Sequence, residues 1–575
     1  MNKTVILLAL ASVSLSQAAP SETAVRTSAN KAVQLMERSI GALAPNIPCA
    51  SCHHNNMPLW GLSIAKDHGI QVNAELSHKV AVHTYSFLKD VDRAVQGTTF
   101  VDPGIEGGEL LAFAGSVGVK PSLTTALQVR RMASLQHEDG HWATFDARPP
   151  QTGSLFMVTA LNLKALSDHM PPSLRQERDE RIAKAHQWLL NHQPVSVEDA
   201  SFRLLGLKWA GASPAELQTA AKSLLDTQTA DGSWAQVPGR TSDAYGTGEA
   251  LAALKLTGMA PADAYNRGIE WLLKAQLEDG SWLVKTRLHE VAPISPPYME
   301  TGFPHGKDQI VSMLGTTWAV MALSLSLPEH RMEVAELTEV KPVADSWIEA
   351  AAFGSTDALK SIEADTHTAA GTTLLMVVAN DSAKVKAMID RGADVKQRAK
   401  SGHTALTVAA TYKGSAPVLR QLVAKGADAV PVKEMEFHSN PLVYATYAGD
   451  LEAVRILLDN GANATQTMML AGMVPMNPVS AAVHFDNPVI LGEFLKRGVD
   501  PNMVDEVPLL SMAAAQNRPA VAKLLLASGA DPNRKDKYGW TPLRHARAIE
   551  HDAPVVEGLI EAALKKVELS QNVQK

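Results

Sequence analysis

The sequence predicts an all-α protein: an α/α toroid of about six helical hairpins, followed by a solenoid of short helical repeats. Three observations carry this. A Q-x-x-D-G-x-W motif occurs three times before residue 283. Amphipathic segments of helical period fill the chain up to residue 330. After that point, tetrapeptides of the Gly-Ala-Asp type recur every 31 to 37 residues.

The chain has 575 residues, 46% hydrophobic and 20% charged, which exceeds the ~250–300 residues at which single cores stop growing. A formal charge of −7 argues against nucleic acid as a partner, and two cysteines cannot staple a scaffold. Residues 1–19 combine Lys3, a mostly apolar run from Val5 to Leu15 and small residues around Ser16-Gln17-Ala18. This reads as a cleaved signal peptide, so a periplasmic or secreted protein that does not span a membrane is expected.

The first array spans 27–328. Gln136–Trp142, Gln228–Trp234 and Gln276–Trp282 carry the motif, with tryptophans 92 and 48 residues apart. Helical segments are expected near 27–44, 58–70, 74–92, 106–118, 121–135, 154–167, 177–191, 198–210, 214–226, 243–256, 262–275 and 309–327. Each motif falls between two of them: Asp-Gly makes the turn, Trp packs back on the helix ends, and Gln reaches exposed backbone groups. These motifs resemble the QW repeats of the squalene-hopene cyclase and prenyltransferase superfamily, which implies a closed double ring. The activity does not follow from the resemblance. The chain lacks the D-x-D-D acid of the cyclases; Asp90-Val91-Asp92-Arg93 departs from it and reads as surface charge. Glu198-Asp199 reads as a helix start.

The second array spans 345–567. Gly392-Ala-Asp-Val, Gly426-Ala-Asp-Ala, Gly461-Ala-Asn-Ala, Gly498-Val-Asp-Pro and Gly529-Ala-Asp-Pro follow helices, and Gly402-His-Thr-Ala-Leu406 and Trp540-Thr541-Pro542-Leu543 precede them. The pattern resembles ankyrin repeats, which implies about six stacked units and a protein partner. The charged stretch Leu327–Val343 reads as the boundary between the arrays.

The chemistry is concentrated in Cys49-Ala50-Ser51-Cys52-His53, within a loop at 45–57. This is C-x-x-C-H, and it resembles the attachment motif of c-type cytochromes. The resemblance implies haem c, bound through Cys49 and Cys52, with His53 as the proximal iron ligand. A zinc site using Cys49, Cys52, His53 and His54, or a Cys49–Cys52 disulfide, remains open. His54 itself is expected at the solvent or near a propionate.

In an up-and-down ring, every odd-to-even connection leaves from the same end, so the C-x-x-C-H loop and the QW turns share one face. The connection 276–308, long and proline-rich, is expected beside the loop because the last hairpin of a ring meets the first. A sixth iron ligand is therefore expected from His305 or, second, Met299, with His289 also on this connection. Arg148, Arg240 and Arg287 share the face and are candidates for propionates. The function read from these residues is electron transfer or another redox role, coupled to a redox partner and to protein binding by the repeats. A haem-dependent oxidase or peroxidase and a non-redox scaffold are the alternatives, and whether the chain is an enzyme stays open.

Overall fold

The computed structural model describes residues 19–43, 52–100, 102–144, 149–287, 300–430, 440–470, 474–505, 507–548 and 554–573. The first array folds as α1 Glu22–Leu43, α2 Met57–Asp67, α3 Ala74–Thr84, α4 Val91–Gln96, α5 Gly108–Phe113, α6 Leu123–Ser134, α7 Leu155–His169, α8 Arg175–Asn191, α9 Val197–Trp209, α10 Pro214–Leu225, α11 Ala244–Thr257, α12 Ala262–Ala275 and α13 Gln309–Leu325. Helices α5, α7, α9, α11, α13 and α2 pack in that order. Trp60 of α2 stacks on Phe113 of α5 at 4.0 Å, which completes an inner ring. Helices α1, α3, α6, α8, α10 and α12 lie outside it. The expected double ring of hairpins is thus observed, with the short helix α4 as an addition.

Composition explains the two layers. Inner α13 is apolar on every side, and all its residues except Ile310 are buried. Outer α12 buries only Ala264, Tyr265, Gly268, Ile269 and Leu272, one stripe at three- and four-residue spacing. Side chains fix the starts: Ser122, Ser196 and Ser213 form capping boxes with Thr125, Asp199 and Glu216.

The QW turns join one hairpin to the next. In each, the Trp indole N–H donates to a carbonyl ten residues earlier: Trp142 to Met132, Trp234 to Leu224 and Trp282 to Leu272, at 2.7–3.0 Å. In each, the Gln amide reaches the following outer helix: Gln136 the Arg181 carbonyl of α8, Gln228 the Ala264 carbonyl of α12. The third reaches the Ser28 carbonyl of α1 at 3.0 Å and so staples the last outer helix to the first. The motif glycines, with φ between 92° and 109°, leave no space for a side chain, because a Cβ at Gly140 would stand 2.3 Å from the Lys184 carbonyl oxygen.

The expected boundary around 327–343 is a packed strap. His330 N donates to the Asp67 carbonyl and Leu337 N to the Gly118 carbonyl, and Leu337 and Val340 are buried against the ring. These two apolar side chains, with Leu327 at the start of the stretch and the backbone bonds, hold it to the ring.

The second array begins with α14 Ser346–Phe353. It continues as helix pairs α15 Leu374–Val377 and α16 Ser382–Asp390, α17 Ala405–Ala409 and α18 Ala416–Ala424, α19 Pro441–Tyr447 and α20 Leu451–Asp459. Then follow α21 Pro478–His484 and α22 Pro488–Lys496, α23 Leu509–Ala515 and α24 Pro519–Ala527, and α25 Pro542–Ala548 with α26 Pro554–Val573. A short antiparallel hairpin, β1 Met468–Leu470 and β2 Val474–Met476, interrupts the series. The stack shares one core with the ring's helices α4 and α6: Val91, Ala94 and Val95 of α4 and Leu127 of α6 are buried among its apolar side chains.

Candidate functional site

The ring has two ends, and the chemistry lies at one of them. The described parts of the long connections, 52–56, 102–107, 136–144, 149–154, 228–243, 276–287 and 300–308, lead into the N-terminal ends of the inner helices, and that end is the mouth of the ring. Cys52–Asn56 is a wide helical turn that runs straight into α2, so the last two residues of the C-x-x-C-H motif, Cys52 and His53, lead into an inner helix at this mouth. Such widened turns recur at functional sites. Cys49, His289, Met299 and Arg148 lie outside the described residues, and Cys52 and His53 are placed by their backbone.

His54, Asn55 and Asn56 are buried. The expectation of a solvent-facing His54 is therefore corrected: burial pushes its imidazole down to about 3, so it is neutral. Asn56 donates to Glu109 Oε1 at 3.3 Å, and the Tyr85 hydroxyl lies 2.7 Å from Asn56 Oδ1. Both polar atoms of the Asn55 amide are buried without a hydrogen-bond partner.

Around this turn, the inner helices carry a tier of acids. Glu109 on α5, Glu198 on α9 and Glu249 on α11 are all buried. Burial first, then the neighbouring carboxyls, pushes Glu198 and Glu249 well above the carboxylate range. Tyr245 lies 3.2 Å from Glu198 Oε1 through its hydroxyl, and the Arg287 guanidinium opposes the shift of Glu198. The Glu198-Asp199 pair thus divides: Asp199 caps α9, accepting the amides of Val195 and Ser196, whereas Glu198 faces the interior. One helical turn below the polar side chains stand aromatic ones on the same faces: Asn56 above Trp60, Glu109 above Phe113, Glu198 above Phe202. Trp60 and Trp318 meet edge to face at 5.7 Å, and Phe202 meets Trp318 at 6.3 Å, closing the interior below the acids. Sequence reasoning missed this tier. For Glu109 and Glu198 its signal was a polar residue four before an aromatic in an otherwise apolar inner helix; Glu249, four before Ala253, carries no such mark.

At the rim, Arg240, Arg287, Lys285, Lys307, Asp243 and Asp308 line a cavity of about 620 Å³, with Ala548 of α25 on its far wall. Arg240 and Arg287, expected on one face, are brought together here. Of the connection 276–308, residues 276–287 and 300–308 are described, and residues 301 and 302 lie against the end of α1. Ser39 near the end of α1 donates to the Thr301 carbonyl at 2.8 Å, and a Cβ built on Gly302 would stand 3.9 Å from Ala42, just before the C-x-x-C-H loop begins. His305, at φ 88°, has its Nε2 2.8 Å from Ser281 Oγ in the third QW turn. Ligation of iron by that nitrogen requires this hydrogen bond to be given up.

The ankyrin-like stack docks along the same end through its turn tips and first helices. Gln96 of α4 donates to Thr372 and accepts from Ser401, both at 2.8 Å. Arg131 donates to Thr411 Oγ1 and lies 4.9 Å from the centre of the Tyr412 ring. Tyr447 binds Asp102, and Arg518 donates to the Thr144 carbonyl. Asp92, expected as surface charge, accepts from Thr368 across this contact. The groove formed by these first helices is therefore occupied by the protein's own ring.

Family models of ankyrin repeats match residues 347–432 and 374–468, in a three-copy form, and residues 510–560, in a many-copy form. These stretches are ankyrin repeats, modules of protein–protein interaction. Among solved structures, the ankyrin repeat domain of human ASB11 is similar at 24% identity, with 38% of this chain and 98% of that one covered and a TM-score of 0.34. The ankyrin repeat domain of Bcl-3, a member of the IkappaB protein family, matches at 20% identity over 38% of this chain and 98% of that one, with a TM-score of 0.30. An ankyrin repeat domain from Acinetobacter baumannii AYE matches at 27% identity over 33% and 96%, with a TM-score of 0.28. No curated protein matches the chain. Among the described residues, no helix is long and apolar enough to cross a membrane, and no group of three or more His, Cys, Asp or Glu side chains could hold a metal ion.

Proposed function

We propose that this is an exported monohaem c-type redox protein, with the haem tethered at the mouth of the ring. Cys49 and Cys52 would hold the porphyrin covalently and His53 would be the proximal ligand. When bound, the haem supplies a one-electron couple. The observation that carries the reading is the passage of C-x-x-C-H into an inner helix, followed at once by a buried Asn55 amide with both polar atoms unpartnered. A buried amide of this kind fits a site completed by another group.

The chain's own residues have clear tasks in this reading. Tyr85 and Glu109 fix Asn56, which holds the turn and with it the base of the motif. Neutral His54 and the acid tier keep the interior uncharged behind the motif. His305, which would have to leave Ser281, or Met299 would be the residue to complete the iron's ligand set. A protein partner meets the outer faces of α16, α18, α20, α22 and α24, because the groove opposite is filled by the ring.

The test is expression with signal peptide and haem-maturation machinery, followed by a pyridine haemochrome spectrum and mass spectrometry. A c-type band and the added mass of one haem are expected, both lost in Cys49→Ser/Cys52→Ser. A mature chain without covalent haem overturns the proposal, and the scaffold alternative then stands.

A further inference from the structure

The contact between the ring and the ankyrin stack sets imidazoles of one array against cations of the other. His403 of the stack ends a chain of hydrogen bonds that crosses the contact. Gln96 of α4 donates to Thr372 and accepts from Ser401, and Ser401 Oγ lies 3.1 Å from His403 Nδ1. The Ser401 proton goes to Gln96, so toward His403 the hydroxyl accepts, and Nδ1 carries the imidazole hydrogen. The other nitrogen, Nε2, is then the bare one, and it is buried without a hydrogen-bond partner. A proton added there meets no acceptor. Among the described residues, the charged group acting on this imidazole is Arg131 of the ring's α6. Arg131 directs its own donors to Thr411 Oγ1 and to the carbonyls of Ala94 and Val95, all neutral. Burial first, then Arg131, pushes His403 down to about 4.

A second place repeats the arrangement with the arrays exchanged. His137 and His141 of the first QW turn stack with ring centres 4.1 Å apart. Lys413, in the turn between α17 and α18 of the stack, acts on both. Asp139 opposes it: the carboxylate lies 2.6 Å from His141 Nδ1 and supports a charge on that ring, while His192 of α8 resists one. Half-buried His137 feels Asp139 only from a distance. Burial first, then His141 and Lys413, pushes His137 down to about 3.

We propose that the ring–stack contact is an acid-operated latch, held while His137 and His403 are neutral and opened when they take up protons opposite Lys413 and Arg131. Separating the arrays moves each imidazole away from the other array's cation and lets water reach it. In the open chain both histidines titrate near the ordinary value of about 6.5, and in the closed chain far below it. The contact is therefore fully held above about 6.5 and weakens as pH falls. Each site lowers the closing equilibrium by up to about ten-fold per pH unit, and the two together by about 1,000-fold between about pH 6.5 and about pH 4.5. Opening uncovers the groove of the stack's first helices, which the ring fills at neutral pH. The latch does not rest on the haem proposed above.

The test is small-angle scattering of the full-length protein, with far-ultraviolet dichroism on the same samples, from about pH 7.5 down to about pH 4.5. The radius of gyration should rise below about pH 6.5 while the dichroism holds, and return on neutralisation. His403→Gln and His137→Gln each remove one titrating site and leave a neutral side chain. Each should make the expansion less steep in pH and move its midpoint down by about half a unit or more, and the double variant should stay compact at about pH 4.5. His137 is half-buried, so its variant keeps the test open should His403→Gln fail to fold. A constant radius in the parent, or expansion only where the dichroism is lost, overturns the latch. So does a midpoint that is the same in the parent and in the folded variants, because acid would then act elsewhere.

Discussion

The Tyr447 hydroxyl donates to Asp102 Oδ1 at 2.7 Å and accepts the Gly104 amide at 3.0 Å, joining the third helix pair of the ankyrin stack to the segment that opens inner helix α5. Asp102 also accepts the Thr144 hydroxyl at 2.6 Å, so one carboxylate holds the α5 entrance, the first QW connection and the repeat stack. Burial and the Asp102 charge push the Tyr447 phenol well up, and it stays protonated and donating. The stack thus braces the mouth of the ring. Replacing Tyr447 by Phe leaves Asp102 its bonds to Gly104 and Thr144 and removes both hydrogen bonds of the hydroxyl, a loss of about 1–3 kcal/mol. Hydrogen exchange of amides 102–107 should speed up by about ten-fold, with α24 unaffected; equal exchange in both proteins would falsify the bracing role.

The apolar half of the same contact is α4. Ala94 is fully buried within the ankyrin core cluster, between Val91 and Val95. Ala94→Glu would place an unpaired charge there, at a cost of several kcal/mol. The two arrays should separate while each keeps its helices. Small-angle scattering should show a larger radius of gyration with unchanged far-ultraviolet dichroism. An unchanged radius would mean that polar bonds such as Arg131–Thr411 suffice to hold the arrays together.

Much of this was legible because it is local. The QW turns announce themselves through residues within six positions of one another, and their Trp and Gln roles follow from the unfilled carbonyls at helix ends. The shared face of the connections follows from counting helices. What escaped was set by contacts between distant segments. Asp92 looks like a surface charge until Thr368 arrives from 276 residues away. His54 looks like a loop histidine until the ring closes over it. Glu198 reads as a cap because its neighbour Asp199 is one, and only the inward turn of α9 separates their roles. Leu337 and Val340 lie in a stretch too charged to suggest packing, yet both are buried.

The seam of the ring gives a direct test of closure. Gln276 holds the Gly280 and Ser28 carbonyls, both at 3.0 Å, across the junction of last and first outer helices. Gln228 makes the equivalent pair of bonds between α10 and α12, successive outer helices separated in the chain only by inner helix α11. Gln276→Ala should therefore cost about 1–3 kcal/mol and release exchange protection along α1. Gln228→Ala should cost a similar amount with α1 still protected. Loss of α1 protection in both variants would place the seam elsewhere.

Two sets of buried groups make stability depend on pH in opposite directions. Burial pushes His54 and His137 down to about 3, and His403 and His484 down to about 4. Below about 6.5 the unfolded chain binds protons at these sites that the folded chain does not, so stability falls as the medium is acidified. Glu198 and Glu249 are raised, first by burial and then by neighbouring carboxyls, Asp199 beside Glu198 and Glu198 beside Glu249. Above about 4.5 the folded chain keeps protons there that the unfolded chain releases, so their contribution falls as pH rises. The histidines stop contributing a slope above about 6.5 while the two acids continue to lose, which places the maximum near that pH. Glu249→Gln mimics the protonated acid and removes its share of the alkaline fall. Denaturant unfolding from about pH 5 upward should show the variant gaining on the parent as pH rises, by up to about 1.4 kcal/mol per unit for as long as the folded chain keeps the Glu249 proton. A constant difference between the two proteins would mean that Glu249 is ionised in the folded chain, and the acid tier would then hold charge rather than protons.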